Sequence, residues 1–471
     1  MQGDWVFKKV CVFLGLLALC SVQAAMSAPN PRDDGYRGIW YSNQPSDDMY
    51  VYKYSGGLGT YCAKHRPLFQ YAPEANRTFF VYGGVQGDEG KGSLLIMASY
   101  YDHETQTVPK PVIVMDKQTT DAHHNPTIAI DDQGFIWIFA SAHGGKDGFI
   151  FRSDEPYSID QFTQITQKEF TYPQPWHFDG EGFLFLFTKY TAGRELYFCT
   201  SNGEEAFSPD QKIAGFGGHY QISQKHENRV VTAFNWHPPE GGLNARTNLY
   251  VMQTTNHGAS WTAMNGAPLS VPLDSPQNAA LVREYQKEDL LVYMKDLVFD
   301  DQGQPVIVYV TSQGYESGPG NDPRYFAFAH WQGDGWRFGT ICPTDHNYDT
   351  GALYLDGDRW TLIAPTEPGA FPYTTGGGIA VWTSEDAGDT WQKQRQLTHD
   401  QERNHTYVRR GQVMHPGFAA FWADGKTLEP GASNLYFSNQ AADRVFMLPP
   451  EIEGNSAQPI AVDKQFFDGE E

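Results

Sequence analysis

Ser384-Glu385-Asp386-Ala387-Gly388-Asp389-Thr390-Trp391 closely follows the hairpin pattern S-x-D-x-G-x-T-W, and it decides the fold. Each position has a physical task. The short Asp side chain accepts hydrogen bonds from the backbone a few residues on. Gly supplies the left-handed backbone of a tight turn, and Trp brings a large face to bury between sheets. A looser copy is Thr254-Thr255-Asn256-His257-Gly258-Ala259-Ser260-Trp261, and residues 200–207 read as a decayed third. This Asp-box pattern is structural rather than catalytic. Its repetition implies similar small sheets arranged around an axis.

The flanking sequence agrees. After Gly35 short strands follow one another, among them 78–82, 94–100, 135–140, 183–187, 230–234, 306–310 and 378–382. They are separated by turns such as Asp131-Asp132-Gln133-Gly134, Asp300-Asp301-Gln302-Gly303 and Asp356-Gly357-Asp358. No segment reads as a helix longer than about two turns. Many evenly spaced strands allow a sandwich, a barrel or a propeller, and the repeat selects the propeller. At roughly 40–60 residues per four-stranded blade the chain holds seven blades. No linker or charge block divides it, so residues 25–471 read as one all-β propeller domain, with residues 468–471 a frayed acidic tail.

The chain has 471 residues, a formal net charge of -22 and 14 % aromatic residues. That charge argues against a nucleic-acid partner. An anionic ligand would instead need a local basic pocket. Lys8 and Lys9 precede an apolar run over residues 10–20, too short to span a bilayer, and Val22-Gln23-Ala24 offers a cleavage site. Residues 1–24 therefore read as an export signal, the mature chain as secreted or periplasmic, without a membrane partner and monomeric. Its removal leaves Cys62, Cys199 and Cys342, an odd number that is no disulfide framework.

A propeller carries its site at one mouth of the central channel, on loops from several blades. Asp121-Ala122-His123-His124-Asn125-Pro126 and Ser141-Ala142-His143-Gly144 lie at opposite ends of one predicted hairpin, which brings His123 and His143 to one spot. Further polar clusters are Tyr190-Thr191-Ala192-Gly193-Arg194, Gly218-His219-Tyr220, and Asn244-Ala245-Arg246-Thr247-Asn248; Lys64-His65-Arg66 is a basic one. An Arg between amides on a Gly-rich loop suits a carboxylate or sulfate, although it equally suits stapling a loop. His330, Cys342 and His346, with eleven and three intervening residues, have ligand types that suit tetrahedral zinc, more plausibly structural than catalytic.

His, Tyr and Arg without an obvious carboxylate pair suit proton transfer better than glycoside hydrolysis, which ordinarily needs two carboxylates at a set separation. Elimination from a 4-linked uronate needs a cation on the carboxylate, a base for the C5 proton and an acid for the leaving O4.

The motifs Asp121-x-His123-x-Asn125-Pro126, Ser141-x-His143-Gly144, Gly218-His219-Tyr220-Gln221, Gly242-Leu243-Asn244-x-Arg246-Thr247-Asn248-Leu249-Tyr250 and Asp345-His346-Asn347-Tyr348-Asp349 carry a resemblance. Over nearly all the mature chain it resembles the BNR-repeat, seven-bladed polysaccharide lyases: the ulvan lyases of families twenty-four and twenty-five and related rhamnose–glucuronate lyases. The resemblance implies β-elimination at glucuronate or iduronate in an acidic, sulfated rhamnose–uronate polysaccharide. It implies His123 and His143 as the catalytic histidines, Tyr190 or Tyr220 as acid or base, and Arg194 or Arg246 as neutraliser. Lys64, His65, Asn125, His219, Asn244 and Asn248 are the expected substrate contacts. A structural zinc is implied, and the channel leaves room for calcium. The rivals are a sialidase, which departs at Gly38 in Tyr36-Arg37-Gly38-Ile39, a propeller rhamnosidase using His65, and a non-catalytic sugar-binding propeller.

Overall fold

The computed structural model describes residues 1, 28–57, 59–86, 92–202, 206–429, 431 and 433–463. Apart from residue 1, the expected export signal lies outside the described residues, as do the acidic tail and residues 203–205 of the third repeat.

Seven antiparallel sheets form the expected propeller. The blades comprise residues 69–116, 126–168, 171–214, 221–283, 291–344, 352–396 and 404–462. In each, sequence order is spatial order outward from the axis, because short turns join neighbouring antiparallel strands; the exceptions are Leu281–Arg283, which returns to the third strand of blade 4, and Val108–Pro109, which pairs with Ser456–Ala457. The innermost strand of every blade touches those of the next and previous blades, and the seventh touches the first. The ring is therefore closed. Burial follows the same gradient. Pro126–Ile130, Ile136–Ala140 and Pro305–Ser312 are buried throughout, whereas the outermost strand Gln392–Gln396 is largely exposed. Strands covered on both faces need near-continuous apolar runs, and the inner strands supply them.

The two turns that opened the sequence reading lie between the third and fourth strands of blades 6 and 4. In blade 6, Thr390 N–H donates to Asp386 (2.8 Å) and Gly388 N–H to Ser384 Oγ (2.8 Å). Gly388 has φ +94°, and a Cβ there would lie 2.9 Å from the Trp360 ring. In blade 4 the Trp261 ring packs edge-on to Phe198 of blade 3, with centroids 5.6 Å apart.

The segment before blade 1 seals the ring. Gly38 N–H donates to Ser433 O of blade 7 (3.0 Å), and Ile39 N–H to Gly83 O of blade 1 (2.9 Å). Gly35 passes so close to Pro450 that a Cβ would lie 1.7 Å from its carbonyl oxygen. A hairpin, Trp40–Pro45 with Tyr52–Gly57, then follows.

A buried ion pair holds the centre. Arg66, just before blade 1, meets Asp296 of blade 5 at 2.9 Å, both side chains being about 5 % exposed. Arg66 also donates to Gln224 of blade 4 (3.0 Å) and to Leu297 O (3.2 Å). Asp296 accepts from Leu353 N–H of blade 6 (3.0 Å), and Arg410 of blade 7 lies 3.7 Å from it. One guanidinium and one carboxylate thus link most of the ring. Asp296→Ala strands a buried cation, so chemical denaturation is expected to show a loss of about 3–5 kcal/mol. Replacing both partners by apolar residues of similar volume should cost much less; equal losses would contradict this account.

Candidate active site

Strand order fixes which loops share a face. Loops entering each innermost strand and loops joining second to third strands lie at one mouth; the other turns lie at the opposite mouth. The first set carries residues 59–68, 117–125, 141–147, 191–193, 215–220, 237–246 and 345–351. Every candidate catalytic residue from the sequence lies in or beside these loops.

Blade 2 supplies a histidine pair joined by one carboxylate. Asp121 caps the short turn Ala122–His124 by accepting from His123 N–H (2.9 Å). Its two oxygens then take His123 Nδ1 and His143 Nδ1, each at 2.6 Å. The two rings stack with centroids 3.9 Å apart. His123 is buried, and its Nε2 accepts from the Tyr61 hydroxyl (2.8 Å). Burial, only partly offset by Asp121, brings His123 down to about 4, so its ring is neutral. Burial opposes ionisation of Asp121, but the hydrogen bonds from both histidines hold its carboxyl well below the usual range. His143 is the more exposed of the pair and faces Tyr190, ring centroids 5.7 Å apart.

Opposite stands a tyrosine among cations. The Lys64 ammonium lies 4.3 Å from the Tyr220 ring centroid, and the guanidiniums of Arg246 and Arg194 lie at 5.0 and 5.9 Å. Burial disfavours the phenolate of Tyr220, but Arg194, Arg246 and Lys64 outweigh it and bring the hydroxyl below its ordinary value. Tyr190 behaves oppositely. Burial raises it to about 12, although its hydroxyl accepts from Arg194 Nε (3.2 Å). Two tyrosines in one mouth are thus displaced in opposite directions.

Arg246 is buried against the Tyr293 ring (4.3 Å) and donates to Leu243 O (2.9 Å) and to the Tyr348 hydroxyl (3.1 Å). Among the described residues no carboxylate lies within ion-pair distance of Arg246, Arg194 or Lys64. A cation taken from water without a counter-charge is costly. The site is therefore short of an anion, which a ligand can bring.

Sequence reasoning missed several neighbours. The hairpin Trp40–Pro45/Tyr52–Gly57 lays Tyr41, Lys53 and Tyr54 over the mouth. Tyr54 stacks on Tyr348 with centroids 4.4 Å apart, and the Tyr41 hydroxyl lies 3.2 Å from His123 Nδ1. Lys53 is brought down to about 7, first by burial and then by Arg246 and Arg194. Tyr61, Tyr172, whose ring meets that of Tyr220 edge-on with centroids 5.4 Å apart, and the bridging role of Asp121 also went unread; only Asp121, within the Asp-x-His motif, carried a local signal.

The expected substrate contacts divide. Lys64 faces Tyr220, and Asn244 accepts from the Lys53 ammonium. The other four hold loops. His65 Nε2 donates to His123 O (3.0 Å) while its Nδ1 accepts from Cys62 N–H (3.2 Å). Asn125 donates to Tyr61 O (2.9 Å), His219 Nδ1 to Asn235 O (3.0 Å), and Asn248 accepts from Gln286 N–H (2.9 Å). All four are buried.

The expected zinc trio is not assembled. Cys342 pairs with Phe326 across the sheet, four residues from His330 on the same strand, or about 13 Å at 3.3 Å per residue. His330 Nε2 instead bonds Asp300 (2.7 Å) at the opposite mouth, whereas His346 lies at the site's mouth beside Ser317 (3.2 Å). Among the described residues two other groups bring potential ligands together: Asp121, His123 and His143, and Asp400, His405 and Asp424. The first is closed by its own hydrogen bonds. In the second, Asp424 already pairs with Arg403 (3.1 Å) and accepts from Tyr436 (2.8 Å). Neither is an all-oxygen cage of the sort calcium takes.

A family profile described as "BNR repeat-containing family member" matches residues 93–341. The chain belongs to that family. One curated relative, an ulvan lyase of family PL25 from Pseudoalteromonas sp. (strain PLSV), is 23 % identical over 254 residues, 46 % of this chain and 51 % of that protein. The BNR-family chain thus aligns with about half the length of that relative. A solved PL25 ulvan lyase superposes with a TM-score of 0.69 at 16 % identity, covering 86 % of this chain and 96 % of that one; the same figures hold for that lyase bound to -[GlcA(1-4)Rha3S]-. The polysaccharide lyase Uly1 superposes with a TM-score of 0.57 at 11 % identity over 87 % and 97 % of the two chains. At these identities the structural likenesses establish the seven-bladed fold.

The cation cluster makes a spectroscopic prediction. Ultraviolet titration of the folded protein should show a tyrosine ionising below the ordinary value near 10. That component should vanish in Tyr220→Phe and move upward in Lys64→Ala. An unchanged titration curve in Tyr220→Phe would contradict the assignment.

Proposed function

We propose that this protein is a polysaccharide lyase that cleaves 4-linked uronate in a sulfated rhamnose–uronate polysaccharide by β-elimination, acting outside the cytoplasm after loss of its export signal. The observation that carries the reading is Tyr220, buried among Lys64, Arg194 and Arg246, with the Tyr190 hydroxyl bonded to the same Arg194. Environments that push two titratable groups apart assign the base and the acid.

The uronate carboxylate supplies the anion that Arg246 and Arg194 lack. Neutralising it stabilises the charge that develops as the C5 proton leaves. Tyr220, as phenolate, takes that proton. The electron pair of the C5–H bond forms the C4–C5 double bond, and the C4–O4 bond breaks. Tyr190, kept protonated, donates its proton to O4. Each tyrosine then recovers its starting state by proton exchange with water. His143, fixed by Asp121, orients the sugar beside Tyr190, while neutral His123 and Tyr61 support that face from behind. Two carboxylates flanking a glycosidic bond would suit hydrolysis. The carboxylate of this cluster, Asp121, has both oxygens committed to histidines.

The relative's name, the ligand of the solved lyase and the shared fold support the choice of polymer. The test is ultraviolet absorbance of a C4–C5 unsaturated uronate during digestion of ulvan. Tyr220→Phe should lower kcat by about 10²–10⁴-fold with modest change in KM. New reducing ends without that absorbance would overturn the reading.

The wild-type rate should rise with pH while Tyr220 loses its proton, because the phenolate is the active form. It should stop rising below the ordinary tyrosine value, since the three cations lower that ionisation. In Lys64→Ala the rise should move to higher pH; a wild-type profile in that variant would contradict the role of Lys64.

A further inference from the structure

On the opposite mouth a groove of about 830 Å³ lies between blades 6, 7 and 1. That volume is within the range of ligand sites. Its walls are turns and outer strands remote from the tyrosine mouth: residues 354–361 and 394–395 of blade 6, the turns 415–417 and 439–444 of blade 7, and residues 101–106 of blade 1. Arg359, Arg395 and Arg444 line it together, in a protein whose formal net charge is -22. Among the described residues neither Arg395 nor Arg444 has a carboxylate within ion-pair distance. Arg359 has only a loose, exposed contact with Glu385 at 3.5 Å, of a kind worth little. Two acids, Asp356 and Asp443, also line the groove, the second accepting from the Asn439 side-chain amide (2.7 Å), and the three guanidiniums outnumber them. Tyr101 and Tyr354 add aromatic surface.

Uncommitted guanidiniums bind sulfate and carboxylate in a two-pronged geometry, and aromatic surface suits sugar rings. We infer that this groove is a second, non-catalytic binding site for an anionic saccharide chain, which holds the polymer while the opposite mouth works on it. The choice of ligand rests on the lyase reading; the presence of a binding site does not.

The test uses the full chain carrying Tyr220→Phe, so that cleavage does not deplete the ligand. Calorimetric titration with a short sulfated rhamnose–glucuronate oligosaccharide should give two sites per chain, and adding Arg395→Ala and Arg444→Ala should leave one. The lost site should weaken by about tenfold or more, the effect of removing two charge-assisted contacts. Arg395→Lys with Arg444→Lys should retain part of the binding. A neutral dextran oligosaccharide should not fill the groove. With native Tyr220, the same two alanine substitutions should leave product formation from the short oligosaccharide unchanged and slow it on the polymer. A single site before and after the substitutions would overturn the inference. Two sites falling to one, with no unsaturated product formed by the protein with native Tyr220, would sustain the groove while refuting the lyase reading.

Discussion

The Arg66–Asp296 pair is the constraint on which the rest depends. A buried ion pair of this sort repays desolvation only when its remaining hydrogen-bonding groups are also satisfied. Here they are satisfied by Gln224 of blade 4, Leu297 O of blade 5 and Leu353 N–H of blade 6. The pair therefore fixes the end of the loop preceding blade 1. Arg409 of blade 7 fixes the rest of that loop, donating to the carbonyls of Thr60 (3.2 Å), Ala63 (3.3 Å) and His65 (2.6 Å). Tyr61 and Lys64 stand on this loop, so ring closure and site assembly are one event. A blade shifted from its place would displace the hydroxyl at His123 and the ammonium at Tyr220 together.

The second consequence is electrostatic. The chain is acidic overall, yet Lys53, Lys64, Arg194 and Arg246 converge on one mouth with tyrosines, rather than carboxylates, between them. Phenol rings accept cations on their faces while leaving the charge uncancelled. The outcome is a buried positive field that favours an incoming carboxylate and lowers Tyr220, while leaving Tyr190 protonated. Those two effects are what elimination from a uronate requires.

Much of this was legible in the sequence, for identifiable reasons. The propeller could be read because turns such as 384–391 are local and their side chains act on nearby backbone. His123, His143, Tyr190, Arg194, Tyr220 and Arg246 could be read because they flank predicted strand ends in glycine-rich loops. Polar residues in the same loops look alike whether they face the channel or hold the loop, so the sequence did not separate His65, Asn125, His219 and Asn248, which hold loops, from Lys64, which faces Tyr220. The zinc trio failed because spacing along a chain ignores strand register: His330 and His346 lie at opposite mouths. Tyr41, Lys53 and Tyr54 gave no local signal, since they reach the site through a hairpin outside the blades.

The central claim is that the mouth around Tyr220 takes a uronate, with its carboxylate on the arginines and its C5 hydrogen toward the phenol. The most direct test is a crystal structure of Tyr220→Phe with a glucuronate–rhamnose oligosaccharide bound. The account predicts the carboxylate on the guanidiniums of Arg246 and Arg194, C5 facing the ring at position 220, and O4 near the Tyr190 hydroxyl. A saccharide seated at that mouth with its carboxylate turned to solvent, or C5 facing away from position 220, would contradict it.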